Sequence, residues 1–116
     1  PAFRDSNRQQ ADHIPIKLRA IDCRNAAKNM PGNPVTSFSP EDVEMMAKME
    51  HARWNAERFL AGWAVGPRDL ERRTSPYLVA WDDLPEEIRQ YDRTTVRNIP
   101  LLLDTIGEKT VRRVDA

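Results

Sequence analysis

Cysteine occurs once, at Cys23, which excludes an internal disulfide and fits a reducing, cytoplasmic compartment. Surplus charge is absent as well. Eighteen basic residues stand against eighteen acidic ones, so no long-range field draws the chain to a nucleic-acid polymer or an anionic membrane. No apolar run approaches the ~20 residues that a bilayer-spanning helix needs, and no charged-then-apolar leader opens the chain. His13 and His51 are the only histidines. Beside one cysteine, a zinc site would need carboxylates to fill its shell, so neither metal nor cofactor is expected. A glycine-rich phosphate loop, a nucleophile elbow and a His-Glu-x-x-His pair are all missing, and no enzymatic activity is expected. The chain begins at Pro1 and not at a methionine, which suggests a piece cut from a longer protein.

What is present is ordinary for one globular domain: 116 residues, 40% hydrophobic and 31% charged, enough for a modest core. The longest helical pattern runs from Pro40 to Gly62. Ser39 can cap it, Pro40 fits the first position, where no amide donor is needed, and Glu41 and Asp42 complement the helix dipole. Met45, Met49, Ala52, Ala56, Phe59 and Leu60 form one apolar row and Val43, Met46, Ala47 and Trp54 a second. With more than one face apolar, this helix is expected in the middle of a small bundle. Around it the pattern predicts a helix over 5–21 interrupted at Pro15, a mobile loop over 25–38 and an extended loop over 63–82. Within that extended loop, Pro76–Trp81 is a candidate short strand. A last helix over 85–106, capped by Asp82 or Asp83, presents Ile88, Tyr91, Thr95, Ile99, Leu102 and Ile106 to the core, and the terminal Lys109–Val114 suits a short strand.

Residues 7–22 align without gaps onto residues 92–107, with Arg8/Arg93, Ile14/Ile99, Pro15/Pro100, Leu18/Leu103 and Ile21/Ile106 identical. Average residue frequencies predict about one match over such a length. A shared leucine and isoleucine rhythm in two unrelated amphipathic helices is the alternative. Matched mid-helix prolines argue against it, because proline is costly there and seldom placed twice by accident. The fold expected is therefore mainly α, a small helical bundle with approximate internal twofold symmetry and a few short β or extended segments.

Two constellations carry candidate binding chemistry. His51 and Trp54 share a helix face, with Asn55 and Arg58 a turn further on. An indole offers a stacking surface, and an imidazole and an amide beside it can read the polar edges of a purine-like ring. The alternative is a core Trp54 with a structurally satisfied His51. Asn7-Arg8 and Asp92-Arg93 form the second constellation, one pair on each echoing helix. Converging guanidinium groups suit bidentate capture of phosphate oxygens, whereas solvated or salt-bridged arginines are the plain alternative.

The ordered set MEHARW, GWAVGPRDLERRTSPYLVAWDDLP and YDRTTVRNIPLLL resembles the ryanodine receptor repeat, or RyR, domain over about Val43 to Ile106. In animal calcium-release channels these repeats come in tandem, as mainly helical units with pseudo-twofold symmetry. The chain is more similar to prokaryotic members, which often follow a Rossmann-type nucleotide-binding domain, so an upstream domain of the same polypeptide is an implied partner. The resemblance also implies an adenine-nucleotide site that uses His51, Trp54 and the position of Asp92. There the family has asparagine, and a carboxylate would repel phosphate unless Arg93 or Arg8 neutralises it; Asn7 takes the echoing place in the first helix. The function expected is a non-catalytic sensing or regulatory module for a nucleotide or nucleotide-like metabolite; a structural or oligomerisation module is the alternative. With one His-x-x-Trp in place of two, a homodimer is expected to complete the site.

Overall fold

The computed structural model describes residues 8–113. It shows a mainly α domain. Residues 8–12 are helical and His13 is a turn. From there α1 (Ile14–Ala20), β1 (Cys23–Ala27) and the long α2 (Pro40–Leu60) follow. A segment with two short strands, β2 (Ala64–Val65) and β3 (Thr74–Ser75), then leads to a 3-10 turn at Trp81–Asp83. The chain ends with α3 (Glu86–Arg97), α4 (Ile99–Thr105) and β4 (Glu108–Arg112). No helix among the described residues is long and apolar enough to cross a membrane.

The internal repeat extends further in space than in sequence. A shift of 85 residues takes Ile14–Ala20 onto Ile99–Thr105 and Cys23–Ala27 onto Glu108–Arg112, boundary for boundary. Pro15 and Pro100 each stand in the first turn of a restarted helix, just after the one-residue breaks at His13 and Asn98. A missing amide donor costs nothing there, so proline sets the break instead of weakening a continuous helix. Each helix then closes through a left-handed residue, Asp22 at φ 58° and Gly107 at φ 77°. β1 and β4 pair antiparallel with Asn25 opposite Thr110. Those two residues are themselves repeat mates, so the pseudo-twofold axis passes through the centre of the ribbon.

The core gathers Leu18, Ile21, Cys23, Val43, Met46, Ala47, Val96, Ile99 and Leu103, where the ribbon, the paired short helices and the N-terminal half of α2 meet. Several sequence-based expectations are corrected here. The row Met45, Ala52, Ala56, Phe59 and Leu60 faces outward, and the buried stripe of α2 is Val43, Met46, Ala47, Glu50 and His51. Apolar pattern alone could not rank the two rows. On the last helical stretch Tyr91, Leu102 and Ile106 are exposed, because the inward line is Ile88, Asp92, Val96, Ile99 and Leu103 and accepts a carboxylate. Ser39 caps α2 through the Asp42 amide at 3.1 Å, but α3 has Pro85 at its N-cap position and no side-chain cap, leaving Asp82 and Asp83 in the 3-10 turn.

Strand β1 occupies the start of the expected loop, whose remainder is pinned to β4. Lys109 donates to the carbonyls of Met30 and Gly32 at 2.6 and 2.7 Å, and the Val35 amide donates to Thr110. Gly32 has φ 124° and lies where a Cβ would sit 3.2 Å from Val111, so only glycine passes here without strain. Pro76–Trp81 forms no strand. The Val79 carbonyl is instead taken by His51 and Asn55 of α2, so side chains, and not a ladder, satisfy this stretch.

Candidate functional site

Along α2 the inward stripe changes character halfway. Val43, Met46 and Ala47 are followed, at the same helical spacing, by Glu50, His51, Trp54 and Arg58. The second half of the helix therefore presents polar and aromatic groups to the 63–82 segment and to α3.

His51 is buried and its Nε2 donates to the Val79 carbonyl at 2.6 Å. Asn55 Nδ2 reaches the same carbonyl at 3.0 Å. The imidazole stacks on Trp54, with ring centroids 5.9 Å apart and planes 22° from parallel. His51, held with Asn55 at the Val79 carbonyl, thus backs the Trp54 ring. On its other neighbours, Arg58 lies 5.5 Å from the Trp54 ring and 5.1 Å from the Trp63 ring, a double cation–π arrangement that keeps the guanidinium in place.

Beyond this clamp opens a cleft of about 890 Å³. Trp54, Trp63 and Tyr77 supply aromatic surface, Arg58, Arg68 and Arg73 supply positive charge, and Thr74 and Ser75 supply hydroxyls. The strand pair β2 and β3 shapes one wall. Asp69 fixes its turn by accepting from the Glu71 and Arg72 amides at 3.0 and 3.1 Å. Arg73 is anchored at φ 56° with Nη1 donating to the Ala61 carbonyl at the C-terminus of α2. Sequence reasoning missed Trp63, Tyr77, Arg68 and Arg73. The signal available was the density of arginine and aromatic residues between Trp63 and Tyr77, but only the short parallel pairing turns them toward Trp54.

The paired arginines do not converge. Arg93 Nε donates to Glu44 at 2.8 Å and Nη2 to the same carboxylate at 3.2 Å, while Nη1 pairs with Glu86 and the guanidinium lies 5.6 Å from the Trp81 ring. Those partners hold Arg93 charged and pull Glu44 below the usual carboxylate range. Arg8 is exposed, and its neighbour Gln9 lines the cleft beside Glu57 and Arg58. Glu44 and Glu57 lie on the order of 20 Å apart along the helix at its usual rise, so the partners of Arg93 and the neighbour of Arg8 lie toward opposite ends of α2. Asn7 lies outside the described residues.

Behind the cleft is a buried ionic group. Lys17 of α1 is 1% exposed and Glu50 5%. Lys17 Nζ pairs with Glu50 at 3.0 Å, and Arg53 grips the same carboxylate with Nε and Nη2, both at 2.8 Å. Burial pushes the Lys17 ammonium down, Glu50 offsetting part of it. Burial would raise Glu50, but the Arg53 bonds and the Lys17 charge outweigh it and hold the carboxyl below its ordinary value. Asp92 of α3, 3.8 Å from His51 Nδ1 and 19% exposed, has no such grip. Burial, followed by the charge of Glu50, raises it to about 7 despite Arg53 and Lys17. No group of His, Cys, Asp and Glu suited to a metal ion occurs among the described residues.

The shift at Asp92 has a measurable consequence. Between its ordinary value of 3.8 and about 7 the folded state binds a proton that the unfolded state has released, so stability falls as pH rises through that window. Asp92→Asn is expected to remove this slope and to stabilise the domain at pH 8 by about 1–2 kcal/mol, after discounting for solvent access. Urea denaturation of both proteins at pH 5 and pH 8 checks it. Equal slopes would show that Asp92 is ionised throughout.

The family model described as the RyR domain covers residues 36–109, taking in α2, the cleft segment, α3, α4 and the start of β4. No curated protein sequence matches the chain. Covering more than half of the chain, the match shows that it belongs to the RyR domain family, with α1 and β1 lying outside the matched stretch.

Proposed function

We propose that this RyR domain is a non-catalytic sensing or regulatory module that binds a nucleotide or nucleotide-like metabolite in the cleft between Trp54, Trp63 and Tyr77. The observation that carries the reading is the composition of that cleft. Aromatic surface beside Arg58, Arg68 and Arg73 suits a ligand with a planar base and an anionic tail. Its volume of about 890 Å³ lies within the usual range for small-molecule sites. In this reading Trp54 and Arg58 touch the ligand. His51, Asn55 and Asp92 position the indole from the interior, and Arg68 and Arg73 take the place that the sequence alone assigned to Arg8 and Arg93. The module acts in a cytoplasmic prokaryotic protein, downstream of a Rossmann-type domain that transmits or receives the signal.

Isothermal titration against mono- and dinucleotides, cyclic ones included, tests the reading. Trp54→Ala is expected to weaken binding about tenfold or more, the worth of a lost stacking surface, and to leave the salt dependence intact. Arg73→Ala should flatten the salt dependence, since a phosphate contact is screened and a stack is not. Arg93→Ala should alter neither. A ligand whose affinity ignores both Trp54 and Arg73 would sink the cleft assignment.

A second reading, a structural or oligomerisation module without a small ligand, is favoured by one observation, the apolar outer face of α2. A nucleotide panel that gives no heat of binding would move the conclusion to it.

A further inference from the structure

Two acceptors compete for the ring proton of His51. The imidazole is buried, and its Nε2 lies 2.6 Å from the Val79 carbonyl. A carbonyl oxygen only accepts, so the proton of the neutral ring sits on Nε2 and leaves Nδ1 a bare acceptor. Facing Nδ1 at 3.8 Å is Asp92 Oδ2. A neutral carboxyl suits that position, since its O–H can turn to the bare nitrogen. A carboxylate does not, because two lone pairs then oppose each other in the interior. The charges around the pair come from three helices. Lys17 of α1 and Arg53 of α2 favour the carboxylate, but burial and the charge of Glu50 outweigh them. Arg93, next to Asp92 on α3, turns away to Glu44 and Glu86. His13, in the turn before α1, faces Lys17, Glu50 and Arg53, and burial lowers it.

We propose that His51 is a proton-operated latch on the cleft wall: while its pair with Asp92 holds the shared proton, the ring bonds Val79, and loss of that proton releases the bond. The carboxyl proton of Asp92 leaves to solvent, and the pair passes from neutral to a single negative charge. The carboxylate is then the stronger acceptor for the ring proton, a charge-assisted bond being about twice as strong as a neutral one. Exchange with water moves that proton from Nε2 to Nδ1, and Nε2 is left bare opposite the carbonyl oxygen. Asn55 accommodates this second state. Its Nδ2 lies 3.3 Å from Nε2 and 3.0 Å from the Val79 carbonyl, so it donates to the nitrogen once the ring becomes an acceptor. Of its two side-chain donors Val79 then keeps only Asn55. The segment that loosens borders the cleft, since Tyr77, two residues before Val79, lines it and Trp54 stacks on the switching ring. With Asp92 raised to about 7, the latch is closed below that pH and opens as pH rises through it. That Tyr77 borders a ligand rests on the nucleotide reading above; the latch itself is tested without one.

Nitrogen NMR of the two histidine rings in the whole chain is the test, because protonated and bare ring nitrogens resonate far apart. At pH 6 Nε2 of His51 is expected to carry a proton. At pH 8.5 it should be bare, with the proton on Nδ1. Asp92→Asn, whose amide donates to Nδ1 at every pH, should hold the ring proton on Nε2 throughout. Asp92→Ala removes the competing acceptor and should do the same, which decides the matter if the asparagine variant fails to fold. Hydrogen exchange of the amides of residues 77–80 reads the wall. Compared at equal pH, wild type and Asp92→Asn should match at pH 6, and wild type should exchange about tenfold faster at pH 8.5, the effect of one lost hydrogen bond. A proton that stays on Nε2 of the wild type at pH 8.5, or that moves equally in Asp92→Asn, overturns the proposal. So does equal exchange at pH 8.5, which would show a ring that switches without moving the wall. A nucleotide panel without heat of binding would sink the ligand reading and leave these ring signals as they are, so the two failures are distinguishable.

Discussion

Glu50→Gln is expected to lower the stability of the domain by about 3–5 kcal/mol, the cost of leaving a buried charge without its partner. Lys17 enters the interior with its ammonium 3.0 Å from Glu50, and burial already disfavours its charged form. Glutamine removes the charge that offsets this burial, and Arg53, gripping the same carboxylate, loses its charge-assisted pair as well. Typical domains are stable by only ~5–15 kcal/mol in total, so the variant should unfold at a much lower urea midpoint. Lys17→Met in the Glu50→Gln background should recover much of the loss, because an apolar side chain of similar length leaves no stranded ammonium there. The pH profile offers an independent check. Glu50 is held below its ordinary value, so its contribution is present above the unfolded value and is lost as pH falls through the folded one; the variant should lack that acid-side loss. A cost below about 1 kcal/mol would place the pair in the range of solvated surface bridges and contradict the burial.

Leu18→Ala and Leu103→Ala are each expected to cost about 2–5 kcal/mol, the range for large-to-small changes in a packed core. The two leucines are repeat mates and both are buried in the same cluster. If the pseudo-twofold is a real feature of the packing, their losses in urea denaturation should lie close together. The neighbouring mates should behave differently. Lys17 is buried in the ionic group, whereas its mate Leu102 is 49% exposed, and Leu102→Ala should fall within the usual surface range of about 0.5 kcal/mol. The backbone repeats, but the two halves use it for different purposes. Unequal costs at Leu18 and Leu103 would limit the symmetry to the chain trace.

The sequence by itself determined the start of α2 and the repetition. Ser39-Pro40 and the acidic first turn set where α2 begins, because capping and dipole effects act within a few residues. The matched Ile-Pro pairs located both helix breaks, since proline acts on its own turn whatever surrounds it. The same local reasoning placed His51, Trp54, Asn55 and Arg58 on one face. Tertiary structure decided everything that depended on choosing between faces. Two apolar rows on α2 are equivalent in pattern. The row that is buried is the one that meets Leu18, Val96 and Leu103, residues far away in the chain. Asp92 reads as a carboxylate facing the ligand beside Arg93, yet the phase of α3 turns it toward Glu50 and Lys17, where burial raises it to about 7. Arg93 reads as free to bind phosphate until Glu44, 49 residues earlier, takes its guanidinium. Arg73 reads as one of several loop arginines until the pairing of Ala64 with Thr74 brings it to the end of α2 and to the rim of the cleft. Caps and breaks are properties of neighbouring residues, whereas faces and charge partners are set by chain segments that meet only when the domain closes.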